Sequence, residues 1–183
     1  MENFQRTRGV LRFMAVVIHD LWERDNRELL IMPGSINFGN GGIREELTRY
    51  LLEARDAWNT VIDKEVDGPR SAPVSLERER QRYAKVGAIR RVARTIALGS
   101  APDVRGQGRR GLEAARIRLG VVQPGEQIAV SNEAMGLLQD RLTHLYSANQ
   151  RYWYDTRPTL RKTVQDRALQ FRREDMEYEL GSA

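Results

Sequence analysis

The segment from Arg141 to Arg157, Arg-Leu-Thr-His-Leu-Tyr-Ser-Ala-Asn-Gln-Arg-Tyr-Trp-Tyr-Asp-Thr-Arg, restricts the fold more than any other part of the chain. Aromatic and β-branched residues favour strand, whereas Ser, Asn and Gln favour turns. The spacing predicts strands over Leu142–Tyr146 and Arg151–Asp155, joined by Ser147-Ala148-Asn149-Gln150. A helix predicted over Asn132–Leu142 runs directly into the first strand. Helices followed by one basic hairpin have the order of a winged-helix unit, with the helix before the hairpin in the recognition position.

The remaining chain reads as mainly α with small β elements. Gly9–Asp25 has helical period, with Leu11, Met14, Ile18, Leu21 and Trp22 expected as its core face. Glu28–Met32 is a short apolar run before Pro33-Gly34, expected as a strand or a buried extended segment. Asn37–Gly42 reads as a loop, Ile43–Glu53 as a helix and Trp58–Val66 as a shorter amphipathic piece. The Pro-punctuated stretch that follows suggests a linker over 69–75, between a lid-like lobe over 1–68 and a winged-helix-like lobe over 76–180. In the second lobe, helices are expected over Tyr83–Leu98, with Arg90, Arg91 and Arg94 off the apolar stripe, and over Leu112–Val122. A third is expected with Ser131 or Asn132 as N-cap, and a last one over Thr159–Glu179.

The chain carries a net charge of +5, and almost all the positive charge is Arg, since Lys occurs only at Lys64, Lys85 and Lys162. Guanidinium groups bind phosphate and carboxylate bidentately, which suits nucleic acid or a protein interface; an Arg-favouring genome accounts for the excess equally well. The most apolar stretch, Val10–Trp22, is interrupted by Arg12, His19 and Asp20, so no membrane span is expected. No signal peptide is visible after Met1, and the absence of Cys excludes disulfides and thiol chemistry and is compatible with the cytoplasm.

Gly106-Gln-Gly-Arg-Arg-Gly111 matches the dinucleotide pattern literally, but the residues before it include Pro102 and do not read as the buried strand that aims such glycines. It reads instead as an Arg-rich loop in which Arg105, Arg109 and Arg110 are candidate phosphate contacts. Arg151, Trp153, Arg157, Arg161 and Lys162, interleaved with Tyr152 and Tyr154, complete the candidate DNA-binding set. The recognition-position helix carries Glu133, Gln139 and Asp140, which suits a phosphate groove poorly, and winged helices also serve as protein-binding units. There is no P-loop, no nucleophile–base set and no acid–base pair, and two histidines, His19 and His144, make a metal site unexpected. The chain by itself is therefore expected to be non-catalytic and to hold no cofactor.

Phe4-Gln-Arg-Thr-Arg-Gly-Val-Leu-Arg12, Leu30-Ile-Met-Pro-Gly34, Val61-Ile-Asp-Lys-Glu-Val-Asp-Gly68, Arg91-Val-Ala-Arg-Thr-Ile96, Arg118-Leu-Gly-Val-Val-Gln-Pro-Gly125 and Arg151-Tyr-Trp-Tyr-Asp-Thr156 together resemble a prokaryotic family of large AAA-type ATPases with a domain of unknown function numbered 499. Members often stand beside DNA methyltransferases and helicases in phage-defence clusters. The resemblance covers nearly the whole chain and corresponds to the part downstream of the ATPase core. It implies a parent ATPase that handles ATP and Mg elsewhere, with the ATPase core or other defence-system subunits as partners. By analogy with lids that reach toward nucleotide phosphates, Arg6 and Arg8 are candidate nucleotide-sensing residues. The expectation is an accessory region that binds DNA through wing and Arg loop, with salt-dependent affinity and little sequence preference. The alternative is an interaction module in which the same surface docks to the ATPase core or a partner subunit, with a large exposed apolar or mixed patch where the core would pack.

Overall fold

The computed structural model describes residues 7–26, 28–49, 54–100 and 110–181, and side chains as far as residue 170. It is mainly α-helical with one small antiparallel sheet. Helix α6 (Ala88–Gly99) organises it. Ile89, Val92, Ala93 and Ile96 are fully buried on its apolar side. They meet α4 (Ala72–Glu79), α7 (Ala114–Val121), α8 (Ile128–Arg141), the 3-10 turn Pro33–Ser35 and the π turn Ile62–Val66.

The off-stripe arginines of α6 hold the surrounding segments by charge. Arg90 pairs with Glu77 of α4 at 2.7 Å. Arg94 pairs with Asp67 through two bonds, at 2.8 and 2.9 Å. Arg91 reaches Glu28 and Glu126, both at 2.8 Å. These carboxylates come from four separate segments, so one helix gathers the chain before and after it. Gly34 permits the close approach of the 3-10 turn: a Cβ there would lie 2.9 Å from Arg91 Cβ and 3.1 Å from the Gly120 carbonyl oxygen.

α1 (Thr7–Glu23) turns a different face inward from the one its sequence suggests. Phe13, Val17 and Leu21, at i, i+4 and i+8, are buried and belong to the core cluster. Of the five residues expected as the core face only Leu21 is buried; Leu11, Met14, Ile18 and Trp22 are exposed. Asp20 decides the rotation, since its buried carboxylate accepts from Asn40 Nδ2 at 2.8 Å and from Arg24. Asn40 in turn caps α2 (Gly41–Thr48), accepting from the N–H groups of Gly42 and Ile43.

Other expectations shift by local causes. Glu28–Met32 forms no strand and is not buried: Leu29, Leu30 and Ile31 are exposed, and the backbone of Leu30 is held by the Gln123 side-chain amide. The 69–75 stretch is not an exposed linker; Ser71 is fully buried and α4 begins at Ala72. The core cluster runs unbroken from Phe13 to Tyr154, with residues from both sides of that stretch. The helix expected over Tyr83–Leu98 is divided by Gly87, at φ +62, into α5 (Gln81–Ala84) and α6. α3 (Arg55–Val61) passes into the π turn within the expected amphipathic piece.

From α6 onward the order is α6, β1 (Leu112–Glu113), α7, α8, β2 (Leu145–Ala148), β3 (Arg151–Tyr154) and α9 (Leu160–Gly181). The strand order is β1-β3-β2, with Leu112 opposite Tyr152 and Leu145 opposite Tyr154. The hairpin therefore follows α8 and precedes the last helix, as expected, with β1 added between α6 and α7. The sequence placed Leu112 in a helix, but Gly111, at φ +75 and against the Tyr152 backbone, lets the chain cross β3 before α7 begins. The hairpin is tighter than expected, with a two-residue turn in which Asn149 and Gln150 have φ 49 and 59, a geometry that matches strand twist. α8 starts three residues before Ser131, which lies buried inside it and does not cap it.

Removing one member of a buried pair leaves the other charge unmatched at a cost of about 3–5 kcal/mol. Arg94→Met should therefore lower the unfolding free energy by about 3 kcal/mol in urea titration, because Asp67 is nearly inaccessible. A loss under about 1 kcal/mol would remove the Arg94–Asp67 pair from the forces that order this core.

Candidate functional site

Two surfaces qualify: the hairpin nominated by sequence and the outward side of α1. The hairpin is secured from beneath by the buried Glu65. Its carboxylate accepts from the N–H groups of Thr143 and His144, both at 2.9 Å, and lies 2.8 Å from His144 Nδ1. His144 thus precedes β2 and anchors it, although the strand was expected to begin at Leu142. Tyr154 donates its hydroxyl to the Glu65 carbonyl at 3.0 Å, and its N–H goes to Ser100 Oγ. Complete burial raises the Tyr154 pKa well above 10.0, with the Glu65 charge adding to it.

On the outer side, Tyr146 and Trp153 stack with ring centroids 5.6 Å apart. Tyr146 donates to the carbonyls of Arg157 and Pro158, closing the chain back onto the hairpin. Desolvation, then the Asp155 charge, raises the Tyr146 pKa. Trp153 Nε1 is buried and has no partner among the described residues, so this nominated residue presents a stacked ring already covered on one side.

Three of the arginines nominated for phosphate have carboxylate partners among the described residues. Arg151 donates to the carbonyls of Arg110 and Gly111 and to Glu113 Oε1 at 2.6 Å, so its whole guanidinium joins β3 to the approach to β1. Arg110 pairs with Asp155 at 3.2 Å and Arg161 with Asp140 at 3.5 Å. Arg157 is exposed and Lys162 half-buried, and neither makes an ion pair among the described residues. Arg105 and Arg109 lie outside the described residues, as does Arg6. α8, in the recognition position, turns outward Glu133, which holds Arg82 and Tyr83; Gln139, bonded to Ser147; and Asp140. Among the described residues the hairpin face thus holds Arg151 fully bonded, Arg110 and Arg161 in weak exposed pairs, and Arg157 and Lys162 without an ion pair.

α1 is the larger surprise. Leu11 is 64% exposed, Ile18 50% and Trp22 83%, with Val10, Met14 and Ala15 beside them. Just beyond the helix, Leu29, Leu30 and Ile31 are 75%, 50% and 54% exposed. Their backbone is not loose: besides the Gln123 clamp on Leu30, Glu28 is bonded to Arg91 and to Ser35 Oγ. Exposed apolar side chains on a tethered backbone lose little freedom when covered. Arg8 and His19 are exposed on the same helix. The sequence held the signal, since α1 is apolar on two sides, which marks a helix with contacts on both.

Among the described residues no helix is long and apolar enough to cross a membrane, and no group of three His, Cys, Asp or Glu is placed to hold a metal ion. Comparison with protein families, with curated proteins and with solved structures finds no match for the chain.

Two outcomes follow for the hairpin. Arg151→Ala should destabilise the fold by about 2 kcal/mol in chemical denaturation, because it strips three bonds that fasten β1 to β3. Stability should also fall as the pH rises above about 10, because Tyr154 keeps its proton when folded and loses it when unfolded. Its contribution is full below that pH and is lost as the pH climbs toward the raised folded pKa. Tyr154→Phe should flatten this alkaline decline in a series of melts; an unchanged slope would contradict it.

Proposed function

We propose that this chain is a non-catalytic protein-interaction module, docking through the outward face of α1, and that it serves as an accessory region of an AAA-type ATPase of the family it resembles. The single observation that carries the docking is the exposed row of Leu11, Ile18 and Trp22 on a helix whose opposite side is locked into the core. Contiguous exposed apolar surface on a folded chain marks a contact site. The hairpin supports the same choice in one respect, since Arg151 is held within the chain by three bonds. In this reading the winged-helix unit is a rigid platform, and the ATP and Mg chemistry belongs to the parent's core.

DNA binding through the wing is the competing reading, and a titration separates them. Fluorescent duplex and single-stranded DNA are titrated with the chain and with an Arg157→Ala/Lys162→Ala variant at low and moderate salt. The expected result is no binding tighter than about 100 µM at roughly 150 mM salt, the weak edge of non-specific affinity, in either form. Micromolar binding that falls steeply with salt and is lost in the variant would return the function to the wing.

A further inference from the structure

The charges that border the α1 row say what covers it. At 100° per residue, Leu11, Ala15, Ile18 and Trp22 fall on one line, and Arg8, Arg12, His19 and Glu23 all lie along the same side of that line. Arg8, Arg12 and Glu23 are exposed and form no ion pair among the described residues. Their order opposes the helix's own field. The first turn holds no acidic residue and the last turn no basic one, so Arg8 stands at the positive end and Glu23 at the negative end.

Both conflicts are relieved by a surface with the same apolar line and the reverse order of charge, which is what this helix presents when turned end for end. We infer that the occupant of the α1 face is a second copy of this chain, docked through an antiparallel α1–α1 pair about a twofold axis. This rests on the reading of α1 as the docking face. In an antiparallel pair the same flank of each helix meets across the seam, so the charged flank faces itself. With Leu11 level with Trp22 of the partner subunit, Ala15 stands level with Ile18 of the partner subunit. Glu23 of the partner subunit then stands level with Val10, between Arg8 and Arg12, and the twofold repeats the arrangement. A parallel pair would instead set the charged flank of each helix against the uncharged flank of the other, leaving Arg8, Arg12 and Glu23 without opposite charges across the seam. Twofold isologous contact is also the commonest way a chain meets itself.

Sedimentation velocity from about 5 to 500 µM tests this, since one helix pair with a few flanking side chains is at the small end of specific interfaces and should associate in the micromolar range. The native chain is expected to dimerise and Ile18→Glu to stay monomeric, with unchanged circular dichroism. Arg8→Glu/Arg12→Glu and Glu23→Arg should each weaken the dimer by about tenfold, and the combined swap of all three should restore it, because it exchanges the signs without altering the complementarity. A chain that is monomeric throughout, a dimer indifferent to Ile18→Glu, or a swap that fails to restore association would each overturn the antiparallel pair. An apolar fluorescent dye reads the underlying surface separately. Dye bound by a monomeric native chain and lost in Ile18→Glu would overturn the second copy while leaving α1 a docking face. Equal dye binding by both would remove the docking face as well.

Discussion

The arginine ladder of α6 is what the rest of the structure depends on. Arg90, Arg91 and Arg94 share one side of the helix and reach Glu77, Glu28 with Glu126, and Asp67. Apolar burial drives α6 into the core but does not specify which segment sits where, because it is non-directional. Paired guanidinium and carboxylate groups do so, since each buried charge is costly unless its partner is in place. The 3-10 turn, the segment ahead of it, the π turn and α4 are set around α6 by that demand.

The same ladder changes the meaning of the chain's charge. An excess of arginine reads, in sequence, as a surface for phosphate. In the fold, three arginines of α6 are structural ties, and Arg151, Arg110 and Arg161 are bonded around the hairpin. Net charge describes a field at a distance; local affinity for a phosphate backbone depends on guanidinium groups free to turn toward it. Among the described hairpin arginines, Arg151 places three donors on neighbours, and Arg110 and Arg161 each make one exposed ion pair.

The fold class was legible because it follows from period and punctuation: an amphipathic helix expected over Tyr83–Leu98, which the structure keeps over 88–99, a helix before Leu142, and an aromatic hairpin. What was not legible turned on single side chains acting across long separations. Glu65 draws in the N–H groups of Thr143 and His144, so the first strand begins at Leu145 and not at Leu142. β1 exists because β3, about forty residues on, offers an edge, and a two-residue strand leaves no periodic trace. The outward face of α1 was illegible for the same reason. α1 has two apolar lines, and only Asp20, through Asn40, decides which of them faces inward.

That rotation joins fold to function. Were Asp20 to point outward, Phe13, Val17 and Leu21 would leave the core, and α1 would present a different line altogether. With Asp20 buried, the core line fixes the outer line in register, so Leu11, Ile18 and Trp22 project from a backbone held along its length by packing. The Leu29–Ile31 segment follows the same logic with polar means: Gln123 and Arg91 hold its backbone and its Glu28 flank, leaving the apolar side chains outward. A protein that needed only solubility would gain by making these positions polar, at little cost to its core. Apolar residues kept outward on two separately anchored segments, beside charges arranged against their own helix field, are the physical basis of the proposed docking face.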